Sequence, residues 1–183
     1  MKIQFFGNNT FLAFNKKARV AFDPPENFAE KNLDFTTNSN GVMPAGVEAK
    51  KHLTLPGEYE ISNVLVKSVA QKNRENTIFK VVMDEMSIVH CGNMAEAPAK
   101  ELLEELGEDI DILIINISEK FPAKKVKDLL ETIEPRVAFI GGDSSKFAEL
   151  NGIMAITMGE ENPISISRSS LSEDKSEFYI LPL

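Results

Sequence analysis

The chain has 183 residues and a formal net charge of -8, with 43% hydrophobic and 26% charged residues. That length fits one domain, 1–183, with a sizeable core, and that balance excludes a disordered chain. The acidic excess argues against broad attraction to nucleic acid or an anionic membrane, and a lone cysteine, Cys91, excludes an internal disulfide framework.

The opening stretch, "MKIQFFGNNTFLAF", holds two short apolar runs separated by "GNN", a hairpin-type turn. It lacks the long apolar segment of an export signal, and no run elsewhere is long enough to span a bilayer. A cytoplasmic protein is expected. "ARVAFD" follows after "NKK", so three antiparallel strands are the simplest reading. "DPP", Asp23 to Pro25, then stops pairing, because proline lacks an N–H and restricts the residue before it. "LDFTT" is a further strand, leading into a loop rich in Asn, Ser and Gly, "NSNGVMP". "HLTLPGEYEISNVLVKSVA" contains two or three strands with a break at Pro56 and Gly57, and His52 begins the first of them. "NTIFKVVMDEMSIVHCGN" reads as a hairpin turning near Asp84 and Glu85. The lysine clusters at 16–17, 50–51 and 124–127 read as solvated faces.

The pattern changes after residue 95. "APAKELLEELGE" carries Leu102, Leu103 and Leu106 at helical spacing, with Gly107 as its stop. "IDILIINI" is a continuous apolar run, suited to a strand buried on both faces. "PAKKVKDLLETIEP" begins at Pro122, ends before Pro135, and has the stripe Val126, Leu129, Leu130 and Ile133. "RVAFIGG" is another buried strand and "DSSKFAELNG" a short helix. "PISISRSS" and "SEFYILPL" give two last strands, the second of them packed in a sheet or at an interface.

This order of segments resembles the metallo-β-lactamase superfamily, and within it the small, lactonase-like branch of Zn-dependent hydrolases of the β-lactamase fold. "ARVAFDPP" is similar to that branch's strand ending in Asp-Pro, whose aspartate is structural there. "LPGEYEISNVLVKSV" looks like its Pro-Gly-Glu-Tyr-Glu segment, and "NTIFKVVMDEMSIVHCGNM" like the hairpin ending in its Gly-Asp metal loop. "DIDILIINIS" and "IEPRVAFIGGD" match the two buried strands that follow. The resemblance implies an α/β fold, a four-layer αβ/βα sandwich, with two mixed β-sheets face to face and helices outside.

A hydrolytic site of this kind needs several His, Asp or Cys ligands and an open position for water. The family loop H-x-H-x-D-H falls on Asn38, Asn40, Val42 and Met43. Asparagine is neutral and a poor zinc ligand, Val42 cannot ligate, and the Met43 thioether prefers copper(I). The next family histidine falls near Gln71 and Lys72. The bridging aspartate falls on Asn93, and the last histidine on Gly142, or on Asp143 if the alignment slips by one. The whole chain has two histidines, His52 and His90, too few for the two-metal site of the family. A single zinc or manganese ion would have to rely on His90, Cys91, Asn93 and Asp143. In a strand, however, His90 and Cys91 point to opposite faces, which also argues against a Cys-His nucleophile. His90 reads as a hydrogen-bonded residue at a strand end, Cys91 as a small buried apolar residue, and His52 as a surface or satisfied histidine. "IGGDSS" lacks the spacing of a phosphate loop; Gly141 and Gly142 read as a tight turn, with Asp143 or Ser144 capping the helix.

The leading expectation is therefore a superfamily member without its metal ligands and without a cofactor, acting in binding or assembly. Its partner would be an unidentified protein or small molecule, or a second copy of the chain in a homo-oligomer. Val42 and Met43 are expected to pack into the space the metals would occupy. The alternative is a hydrolase of an ester, lactone or phosphoester with a single-metal or metal-free site around His90, Asn93, Asp143 and Asp23. RNA binding is a weaker third reading, disfavoured by the acidic charge.

Overall fold

The alternating apolar runs of the first ninety residues fold as short strands joined by tight turns. The computed structural model describes residues 1–71, 75–107, 109–142, 144–150, 155–157, 163–172 and 175–181. Strands β1 (Lys2–Phe5), β2 (Phe11–Phe14) and β3 (Arg19–Phe22) form the expected antiparallel meander. The β2–β3 turn is held by Asn15, whose Oδ1 accepts from the N–H groups of Lys17 and Ala18. After the Asp-Pro-Pro break, β4 (Leu33–Thr37) runs parallel to β3, and β5 (Ala49–Leu53) parallel to β4. His52 is thus the fourth residue of β5 rather than its first.

Strands β6 (Gly57–Ile61), β7 (Val64–Ala70), β8 (Thr77–Met83) and β9 (Met86–His90) are successive antiparallel neighbours. Two of their turns are two-residue loops in which both residues are left-handed: Ser62 and Asn63 (φ 53° and 58°), and Asp84 and Glu85 (φ 51° and 61°). That backbone matches the right-handed twist of the flanking strands.

The helical half then begins. Helix α1 (Lys100–Leu106) stops at Gly107, with φ 84°. Strand β10 (Ile112–Ile117) leads to α2 (Ala123–Ile133), which starts behind Pro122 and ends on Glu134 in the left-handed region. Strand β11 (Val137–Gly142) is followed by a 3-10 turn over Ser144–Glu149, where an ordinary short helix was expected. Three short strands remain: β12 (Ala155–Thr157), β13 (Ile164–Ser165) and β14 (Glu177–Ile180). Two of these were expected; β12 was not.

The strands form two mixed sheets, ordered β13-β1-β2-β3-β4-β5 and β12-β14-β11-β10-β9-β8-β7-β6. Between them lies the main core. Phe11, Val20, Phe22 and Phe35 of the first sheet share one cluster with Phe79, Ile88, Ile114 and Phe139 of the second. Each such side chain removed from water contributes roughly 1.5–3 kcal/mol. On the outer face of the second sheet, Leu113, Ile115 and Ile140 are covered by Leu106 of α1 and Val126, Leu129 and Leu130 of α2. Here the predicted helical stripe does what its spacing implies, with Ile133 half-buried beside it. On the outer face of the first sheet, Leu12, Ala21 and Leu33 are covered by Phe28 and Val47 from loops. The last strand, β14, sits inside the second sheet, and Leu181 after it is fully buried. Among the described residues no helix is long and apolar enough to cross a membrane.

Candidate ligand-binding site

The loop after β4 is fixed by its own polar atoms. The backbone N–H of Asn38 donates to Leu53 O (2.9 Å), and Gly41 N–H to Asn38 O (3.0 Å). Gly41 closes this turn at φ 73°, a conformation that suits a residue without Cβ. The Thr36 hydroxyl donates to Asn38 Oδ1 (2.8 Å), and His52 Nδ1 lies 2.9 Å from the same hydroxyl. A hydroxyl has one proton. With that proton on Asn38, His52 Nδ1–H is the donor, so His52 is a satisfied histidine. The Asn38 side chain is 4% exposed and lines a cavity, and its Nδ2 has no protein partner among the described residues.

Val42 and Met43 do not fill that space. They are 62% and 63% exposed. Asn40 Oδ1 accepts from Val42 N–H (2.9 Å), an Asx turn that carries the chain outward past the cavity mouth. The space itself is an open cavity of about 410 Å³. Asn38 and Asn40 line it from this loop, Asn8 and Asn9 from the β1–β2 turn, Asn93 from the loop after β9, and Asn116 from β10.

Asp23 organises one wall. At the end of β3 it takes φ 42°, which an aspartate tolerates better than most residues. Its Oδ1 accepts from Ser39 N–H (2.6 Å); its Oδ2 accepts from Asn9 Nδ2 (2.6 Å) and from the Ser39 hydroxyl. Its carbonyl oxygen accepts from the Thr10 hydroxyl (2.8 Å). Asn116 Nδ2 in turn donates to Asn9 Oδ1 (2.6 Å). One chain of hydrogen bonds therefore runs from β10 through Asn9 and Asp23 to Ser39, joining both sheets.

His90 faces inward, away from Cys91. It is fully buried between the rings of Phe11 and Phe22, at centroid distances of 6.3 and 5.3 Å. Its Nε2–H donates to Asn9 O (3.1 Å), and Nδ1 is buried without a partner among the described residues. Burial holds its pKa below the usual histidine value, against the opposing pull of the Asp23 charge and the Asn9 carbonyl. Cys91 lies on the opposite face, in the cluster under the helices, and burial pushes its thiol up to about 12.

The remaining aligned positions are structural. Gln71 is buried, donates to Glu96 O (3.0 Å) and accepts from Asn76 Nδ2 (2.9 Å). Asn76 also donates to Cys91 O and accepts from Asn93 N–H, shaping the loop that carries Asn93. Gly142 lines the cavity at φ 104°, and a Cβ there would overlap the backbone of Ile117. Lys72 and Asp143 lie outside the described residues, as does the side chain of Ser144. Reading the sequence missed Asn8, Asn9 and Asn116. The available signal was Asn116, the one polar residue in the six of β10, and the doubled asparagine of the first turn.

Residues 2–139 match the family model described as a beta-lactamase superfamily domain. The chain belongs to the β-lactamase superfamily. Solved structures place it in the metallo-β-lactamase fold. A Thermotoga maritima protein named as a candidate Zn-dependent hydrolase of the metallo-β-lactamase superfamily superposes with a TM-score of 0.82 at 18% identity, over 100% of this chain and 99% of that one. A Veillonella parvula protein named as a candidate metal-dependent hydrolase gives 0.61 at 11% identity, over 91% and 99%. The short form of human tRNase Z gives 0.56 at 10% identity, over 76% and 92%. At these identities the likeness shows the fold alone. No curated protein matches the sequence.

The metal centre that the superfamily implies does not fit the donor set of the described residues. Among the described residues there is no group of three His, Cys, Asp or Glu side chains that could hold an ion. At the loop positions stand two carboxamides and two exposed apolar side chains. His90 is turned into the core, and both oxygens of Asp23 are committed to protein donors. The described wall offers hydrogen-bonding groups, chiefly carboxamides with the hydroxyls of Thr10 and Ser118, and its one carboxylate, Asp23, is engaged by Ser39 and Asn9.

Proposed function

We propose that this superfamily member is a non-catalytic binding protein, a pseudoenzyme whose cavity takes a small molecule where hydrolytic relatives hold metal. One observation carries the reading: the cavity persists, with the wall that would ligate metal built instead of asparagine carboxamides on a rigid hydrogen-bonded frame. Neutral amides supply recognition without activating water. On this reading the protein works in the cytoplasm without a resident cofactor and without nucleic acid or membrane, as a homo-oligomer.

Metal analysis of the purified full chain tests it, together with assays on ester, lactone and phosphoester substrates before and after chelation. The expected result is substoichiometric metal, unchanged thermal stability in chelator and no turnover. Stoichiometric zinc or manganese, with chelator-sensitive hydrolysis, overturns the reading and restores a hydrolase.

A further inference from the structure

The cavity has a distinctive balance of charge. No lysine, arginine, histidine or glutamate lines it among the described residues, and the carboxylate of Asp23 is occupied by Ser39 and Asn9. Among these residues an anionic ligand would meet no cation, and a cationic one no free carboxylate. What the wall does present is unused carboxamide capacity. Asn38 is buried with Nδ2 unpartnered among the described residues. Asn40 has committed only its oxygen, to Val42 N–H. The side chains of Asn8 and Asn93 have no protein partner there. Asn116 Oδ1, on the same wall, is buried without a partner among the described residues, and a buried acceptor is costly to leave unmatched.

We infer that this cavity binds a neutral polyhydroxylated small molecule, a monosaccharide or cyclic polyol. The inference rests on the binding reading above and names its ligand class. A carboxamide donates and accepts side by side, and so does a pair of neighbouring hydroxyl groups, so the two match bidentately without charge. Several carboxamides arriving from different strands and loops suit a ring that carries hydroxyls around its edge. Pro24, Pro25 and Ile117 supply apolar patches for the ring's C–H groups. No aromatic side chain lines the cavity among the described residues, so a flat nucleobase or aromatic amide would lack a stacking platform. The volume, about 410 Å³, lies within the range of small-molecule sites. Asn9, locked between Asp23 and Asn116, keeps the wall preorganised, which lowers the cost of binding.

The test is titration of the ¹⁵N-labelled full chain, read on asparagine side-chain NH₂ resonances. The probes are myo-inositol, D-glucose and D-ribose, with inorganic phosphate, adenosine and zinc chloride as comparators. At least one polyol should give saturable shifts. Asn93→Ala, at an exposed rim position, should weaken its affinity about tenfold while leaving the backbone spectrum intact, the loss expected for one or two hydrogen bonds, and Asn40→Ala should weaken it comparably with backbone changes confined to the turn that its Oδ1 holds at Val42. Silence from all three polyols overturns the ligand class, as does a stronger response to phosphate or adenosine; either result leaves metal-free binding standing. Stoichiometric zinc uptake accompanied by hydrolysis overturns the binding reading itself.

Discussion

Asp23 accepts hydrogen bonds from both the backbone N–H and the hydroxyl of Ser39, tying the end of β3 to the loop after β4. With Asn9 as its third donor, the carboxylate is a structural bracket of the cavity. Asp23→Ala is expected to lower unfolding free energy by about 2–4 kcal/mol, since it strands several donors at once. Asp23→Asn should cost less, because an amide keeps one acceptor but turns a donor toward Asn9 or Ser39. Urea denaturation monitored by circular dichroism measures both; an alanine variant within about 0.5 kcal/mol of wild type sinks the bracket role.

His90 makes stability depend on pH. Burial lowers its folded-state pKa below the 6.5 of an exposed histidine. Below pH 6.5 the unfolded chain therefore takes up a proton that the folded chain refuses. The contribution is complete above 6.5 and is lost as pH falls from there toward the lowered folded value. His90→Phe should be less stable at neutral pH, because Asn9 O loses its donor, yet its stability should fall less steeply between pH 6.5 and 5. Parallel slopes for the two proteins would rule out His90 as the source.

Cys91 should be inert in the folded protein. Its thiol is 2% exposed and is pushed up to about 12 by burial, so little thiolate forms at neutral pH. A disulfide reagent such as Ellman's should label it slowly in buffer and stoichiometrically in urea. Fast labelling under native conditions would show that the face beneath the helices opens readily.

Gly92 is the tightest point of the loop that carries Asn93. It sits at φ 64°, and a Cβ there would overlap Ser39 and the Oδ1 of Asn76. Gly92→Ala should destabilise by about 1–3 kcal/mol through backbone strain and displacement of these neighbours. Because Ser39 is also the partner of Asp23, the variant should perturb the asparagine side-chain resonances of the cavity. A lower melting temperature with those resonances unmoved would separate the loop from the site.

Local rules carried most of the fold. The Asp84–Glu85 turn, the α2 stripe and the opposed faces of His90 and Cys91 each follow from chain geometry within a few residues. The scarcity of histidine was legible in the sequence, because a count needs no structure. The cavity wall was not, since Asn9, Asp23 and Asn116 meet only when both sheets have formed, and each alone resembles an ordinary turn or strand residue. The expectation for Val42 and Met43 failed for a related reason. Their apolar character pointed to burial, but the hydrogen bond from Val42 N–H to Asn40 directs the loop outward. The short strand β12 carries no pattern long enough to read.

The place of β14 has a consequence for biosynthesis. Residues 177–180 lie between β11 and β12, so the second sheet cannot close until that segment has cleared the ribosome. Until then β11 presents an unpaired parallel edge, the kind of surface that recruits chaperones or a second nascent chain. Rare codons or a stall between the codons for β11 and those for β14 would prolong that exposure, and yield in vivo should respond to them more strongly than the stability of the finished protein would indicate.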